Sequence, residues 1–185
     1  MKPSRGGLCG LLAAWFVLAG CSGAPNAAVP VPLPVEAPPA AVDVPAIGAH
    51  STLIGLGLNP DGTVQVPPVR TPLQAGYIRV APQRPGVAPL VVLAHVDGDG
   101  HPGLFAHLKQ VKPGDQVRVS WADGTTRTYT VTRVQETPKA AFPTEAVYGA
   151  TPTREIRLVT CGGPFDQAKH SYTDSEIVYG TEEMS

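Results

Sequence analysis

Cys161 stands in the string RLVTCGGPF (157–165), directly after a short apolar run and directly before two glycines. The chain holds three cysteines, and the other two, Cys9 and Cys21, lie within its first 21 residues. A thiol becomes a nucleophile as its thiolate, which near neutral pH needs a base or an imidazolium beside it. His95 is the residue of that kind in a matching position. It ends the apolar run PLVVLAH (89–95), and DGDG (97–100) follows. A cysteine and a histidine at the ends of two separate strands could meet at one rim of a sheet. Gly162 and Gly163 carry no side chain and would let a substrate backbone come close. Position alone leaves Cys161 open between a reactive group, an inert buried thiol and an intermolecular partner. It leaves His95 open between acid–base work and the capping of a backbone group.

Strands must carry these residues. Short runs of Val, Ile, Thr and Tyr recur between turn signals, a pattern of many short strands. Expected strands are 52–58, 64–66, 76–80, 90–95, 116–121, 126–134, 155–160 and 176–179. The run at 90–95 is apolar throughout, as in a central strand buried on both faces. VRVSW and RTYTVTRV alternate on either side of Ala122-Asp123-Gly124-Thr125, which predicts a β-hairpin turning at Asp123-Gly124. Helical periodicity is poor, and single turns are expected near 72–76, 104–109 and 142–149. Many short strands in one domain favour a closed barrel or a sandwich over a layered α/β fold.

The N-terminus is of another kind. Lys2 and Arg5 precede an apolar stretch from Leu8 to Leu18. That is shorter than the about 20 residues of a membrane span, and it reads as an export signal. Leu18-Ala19-Gly20-Cys21 resembles the lipobox of bacterial lipoproteins, which implies cleavage before Cys21 and lipidation of its thiol. The alternative is an ordinary signal anchor. Residues 24–45 are rich in Pro, Ala and Val without a period, and read as a polyproline-II-like tether. The expected organisation is a signal over 1–20, a tether over 21–45 and one domain over 46–185. The protein is then exported and held at the outer face of the cytoplasmic membrane by lipid on Cys21. The net charge of −1 with no basic patch argues against a nucleic-acid partner.

Two other patterns carry less. DGDG lacks the third oxygen ligand and the distal Glu of an EF-hand, so a glycine-rich turn is expected. His95, His101 and His107 with Cys161 match no common zinc framework, and ordinary loop histidines are expected. No metal and no cofactor is called for.

Several strings together resemble one family. LVTC (158–161) matches the end of the TLxTC motif of the sortases, the cysteine transpeptidases of Gram-positive cell surfaces. CGGPFD (161–166) looks like the continuation in class F, and LAHVD (93–97) like the strand with the catalytic histidine. GLNPDGTVQVPP, KPGDQVRV and TPKAAFPTEAVYG resemble recurring stretches of the same group. The resemblance implies an all-β fold, a closed eight-stranded sortase-type barrel. It implies Cys161 as nucleophile on the Thr–Gly amide of an LPxTG-type sorting signal, forming a thioester. His95 would protonate the leaving amine and deprotonate the incoming one, an amine of a peptidoglycan precursor or a pilin lysine. General acid–base work of this kind contributes about 10²–10⁴-fold.

One position departs from the family pattern. Sortases place an arginine on the last strand, where it donates to substrate and oxyanion. Here the stretch reads Tyr172-Thr173-Asp174-Ser175-Glu176, with Thr173 at the arginine position. No arginine follows Cys161, and Lys169 and His170 are the only basic residues there. Losing one oxyanion donor costs about 10²–10³ in rate. Lys169 lacks the planar fork of donors, His170 could donate one bond, and Arg79 or Arg84 could reach in from elsewhere. A Glu176 carboxylate at the site would disfavour a thiolate. Three readings follow, in this order: an active sortase with a substitute donor, a slow or hydrolysing enzyme, and a module that binds sorting signals without turning them over.

Overall fold

The computed structural model describes residues 36–79 and 86–183. The expected signal over 1–20, Cys21 and the tether up to residue 35 lie outside the described residues, as does Arg84. No described helix is long and apolar enough to cross a membrane.

The strands in chain order are β1 (Pro39–Val44), β2 (Ala49–Gly55), β3 (Ala75–Ile78), β4 (Leu90–Leu93), β5 (Asp97–Gly98), β6 (His101–Pro102), β7 (Gln116–Trp121), β8 (Thr126–Pro138), β9 (Glu155–Asp166) and β10 (Ser171–Glu182). Eight of them close a barrel in the order β1-β2-β3-β4-β9-β10-β8-β7, and β5 pairs only with β6. The all-β closed barrel expected from the sequence is therefore the fold. The helical parts are short: 3-10 turns at Pro45–Ile47, Leu108–Gln110 and Lys139–Ala141, and one helix, α1 (Thr144–Tyr148).

Alternation explains most of the barrel. In β7, Val117, Val119 and Trp121 point inward while Gln116, Arg118 and Ser120 point out. Its hairpin to β8 turns at Asp123-Gly124 as expected. Asp123 Oδ1 accepts from the Thr125 backbone N–H at 2.9 Å, and Gly124 takes the left-handed φ of 84°. β4 lies between antiparallel β3 and parallel β9. Its Leu90 and Val92 fill the barrel interior with Ile156, Leu158 and Val178. Val91 faces the other way, into a second cluster with Val147 of α1, Val159, Ile177 and Tyr179. That double burial is why 90–93 reads as an unbroken apolar run.

Two expectations need correction. The tether was expected to run to residue 45, but Pro39–Val44 is a barrel strand pairing with both β2 and β7. Val42 and Val44 are fully buried. The proline-rich flank masks this strand, and its proline stands at the first position, where no ladder bond is lost. Cys161 was expected beyond the end of its strand, but β9 continues through it to Asp166. Gly162 and Gly163 did not end the strand because β10 pairs with Gly162 and again with Phe165 and Asp166, carrying the ladder past the glycines. The turn expected near 72–76 is present, its Gln74 N–H donating to the Thr71 carbonyl at 2.8 Å, and it leads into β3 at Ala75.

Candidate active site

Register brings the two expected residues together. β4 and β9 run parallel with Leu93 beside Val159, and the Ala94 N–H donates to the Val159 carbonyl at 3.3 Å. Two residues beyond that pair stand His95, just past the end of β4, and Cys161, still within β9. Both side chains line one open cleft of about 790 Å³ at this end of the barrel. Both are half-buried. The backbone at His95 is held tightly. Its carbonyl accepts from the Phe105 N–H at 3.1 Å, and Gly103 lies so close that a Cβ there would sit 2.2 Å from the same oxygen. His95 Nε2 lies 2.7 Å from the Pro67 carbonyl oxygen.

The walls come from four connections, the β6–β7 segment contributing His107. Val69 belongs to the β2–β3 connection. Asp97, Asp99 and His101 belong to the β5–β6 hairpin, and Phe165, His170 and Tyr172 to the β9–β10 hairpin. DGDG is a hairpin turn, with Asp99 at φ 51° and Gly100 at φ 76°, the paired positive values of a two-residue type I′ turn. His101 and His107, expected as ordinary loop residues, line this cleft too. Among the described residues no group of three or more His, Cys, Asp or Glu side chains could hold a metal ion.

The Tyr172 hydroxyl donates to Asp97 Oδ2 across the cleft. That bond, with partial burial and the charges of Asp97 and Cys161, pushes the phenol up to about 12. Tyr172 therefore stays a neutral O–H donor at any physiological pH. Its ring also packs edge-on against Phe165 at 5.1 Å. Sequence reasoning passed over this pair. The available signal was Asp97 inside LAHVD and Tyr172 directly before the anomalous Thr173.

A bulge sets which residue faces the cleft. Tyr172 pairs with Phe165 and Asp174 with Gly162, so Gly163 and Pro164 together face Thr173. Gly163 has φ 70°, and bulges of this kind re-aim neighbouring side chains. Thr173 is exposed and does not line the cleft, whereas Tyr172 does. Among the described residues no arginine lines it. Arg79 sits at the other end of the barrel, paired with Glu36. Lys169 is largely exposed and bridges Asp166 at 3.4 Å. Among the described residues, His170 is the one expected substitute that lines the cleft.

Glu176 does not act on Cys161 as expected. Ser175 is the partner of Cys161 across the ladder, and Glu176 pairs with Thr160, on the opposite face of the sheet. Its side chain fills the space beside Gly162, where a Cβ would sit 2.6 Å from Glu176 Cγ. Burial pushes its carboxyl up and Glu136 adds to that, against the opposing Lys109 charge and backbone N–H.

The same barrel occurs in solved sortases. Sortase A from Corynebacterium diphtheriae superposes with a TM-score of 0.56 at 19% identity, covering 82% of this chain and 64% of that one. A sortase C1 from Streptococcus agalactiae gives 0.57 at 18% identity, with 79% and 67% covered. A sortase D5 transpeptidase from Clostridium perfringens gives 0.54 at 14%, with 79% of each chain covered. The chain thus spans under two thirds of the length of the first of these. A search of curated proteins finds no match. The family model described as the sortase domain matches residues 42–183, from β1 through β10 and across both Cys161 and His95, and the chain belongs to that family.

Proposed function

We propose that this protein is a sortase-type cysteine transpeptidase, of class F by its CGGPFD string, acting on an LPxTG-type sorting signal. The observation that carries the reading is that Cys161 and His95 line one open cleft. The Cys161 thiolate attacks the Thr–Gly carbonyl, and the C–N bond breaks as His95 protonates the departing glycine amine. A thioester remains. An incoming amine, from a peptidoglycan precursor or a pilin lysine, loses its proton to His95 and displaces Cys161. His170, which lines the cleft, is the donor to the oxyanion in place of an arginine, because the single Tyr172 hydroxyl hydrogen is already given to Asp97. Lipid on Cys21 would hold the exported protein at the outer face of the membrane.

A second reading is favoured by one observation, that no arginine lines the cleft among the described residues. A sortase-fold module that binds sorting signals, or hydrolyses them slowly, would also have this site. Incubation with an LPxTG peptide and an amine acceptor separates the two. Ligated peptide that disappears in Cys161→Ala supports the transpeptidase. Saturable peptide binding without any product supports the module.

A further inference from the structure

His95 is oriented from an unexpected direction. A histidine that moves protons needs its second ring nitrogen held, so that tautomer and ring angle are fixed. The hydrogen-bond partner here is a backbone oxygen. His95 Nε2 and the Pro67 carbonyl oxygen lie 2.7 Å apart, and a carbonyl can only accept. Nε2 must therefore carry the hydrogen. Among the described residues nothing bonds to Nδ1.

The carbonyl is well suited to the task. It joins Pro67 to Pro68, a pair with both φ angles restricted, and Pro67 is buried. The connection around it is tied to the same region that bears His95. The Leu104 N–H donates to the Pro72 carbonyl at 2.9 Å. Gly98 lies close against Val69, where a Cβ would be 2.5 Å from the Val69 oxygen. Position and rigidity thus arrive together at one ring nitrogen.

We propose that the Pro67 carbonyl is the orienting acceptor for His95, holding Nε2–H so that Nδ1 is the nitrogen that exchanges protons in the cleft. This rests on the reading of His95 as the acid–base residue. Nδ1 then carries the proton given to the leaving amine and takes one from the incoming amine. The other proton stays on Nε2, donated to the Pro67 oxygen, throughout. Because that oxygen also stabilises the imidazolium, a backbone group does what a carboxylate does in other triads.

The test is nitrogen-15 and carbon-13 NMR of the intact protein, with His95→Gln to assign the ring signals. A free imidazole already leans toward Nε2–H, so the tautomer alone decides little in favour. The expected result is an Nε2 proton that exchanges far more slowly than that of exposed His101, and a Pro67 carbonyl carbon that shifts as His95 titrates. An Nδ1–H tautomer, or an Nε2 proton exchanging like that of His101 with a flat Pro67 signal, overturns the proposal. Pro68→Gly adds a kinetic readout. Loss of rigidity should lower kcat roughly tenfold, the worth of about one hydrogen bond, with KM unchanged. A lowered melting temperature with kcat intact would contradict it. Slow Nε2–H exchange in a chain that forms no acyl-enzyme keeps the orientation and sinks the enzyme reading. Acyl transfer with an Nδ1–H tautomer does the reverse.

Discussion

At the residue scale, the site is two expected side chains and a pair the sequence did not announce. Cys161 and His95 were legible because few residue types do thiol chemistry and both end apolar runs. Asp97 and Tyr172 were not, because 75 positions separate them and only the closed barrel joins them. Their bond has a spectroscopic consequence. In Asp97→Asn the carboxylate charge is gone, so the phenol of Tyr172 should fall from about 12 toward its ordinary 10. Ultraviolet titration of tyrosinate, wild type against variant, reads this directly. Glu176 gives a second prediction. Its carboxyl is raised in the folded state, so the unfolded chain releases that proton first as pH rises. The group's favourable contribution is complete below the unfolded value of about 4.3 and is lost as pH rises through the higher folded value. Glu176→Gln should therefore raise the melting temperature at pH 7, with the gain vanishing near pH 4. Equal gains at both values would contradict the burial argument.

At the element scale, the bulge in β9 decides what the cleft contains. Counting along the chain puts Thr173 where an arginine is expected, but the ladder turns Tyr172 into the cleft instead. Sequence position gave the count, and the two-against-one pairing at Gly163-Pro164 changed its meaning. Gly163 has to be a glycine there. Its φ is positive, and a Cβ would sit 2.4 Å from Asp174 Oδ2. Gly163→Ala should cost about 1–3 kcal/mol in denaturant unfolding, from left-handed strain and overpacking combined. It should also loosen Tyr172 from Asp97, so the raised phenol value falls with it. A stable variant with Tyr172 unmoved would show that the bulge does not set the cleft wall.

At the scale of the whole molecule, the barrel closes only because β1 joins β2 to β7. This was the least legible part of the fold. Val42 and Val44 are two inward positions in a stretch whose prolines resemble a tether, and so short an alternation carries little signal against that background. The alternations of β7 and β8 were legible because they flank a clear Asp-Gly turn, and the short β4 because it is apolar at every position. Glu36 adds to the seam. It pairs with Arg79 and Arg127, both of which stack over the ring of buried Trp121, and despite partial burial those bonds hold its carboxyl below the ordinary range. Removal of residues 36–44 should leave β2 and β7 as open edges and yield aggregated protein on size-exclusion chromatography. A monomeric, cooperatively melting product would show that β1 is dispensable.

The most direct measurement of the central claim is the covalent state of Cys161 during reaction. The protein is mixed with an LPxTG peptide without acceptor, quenched in acid and weighed intact. The account predicts an added mass equal to the peptide up to its threonine, less water, located on Cys161 and released by hydroxylamine as a thioester. Peptide that binds or is cleaved while Cys161 never gains that mass would contradict it.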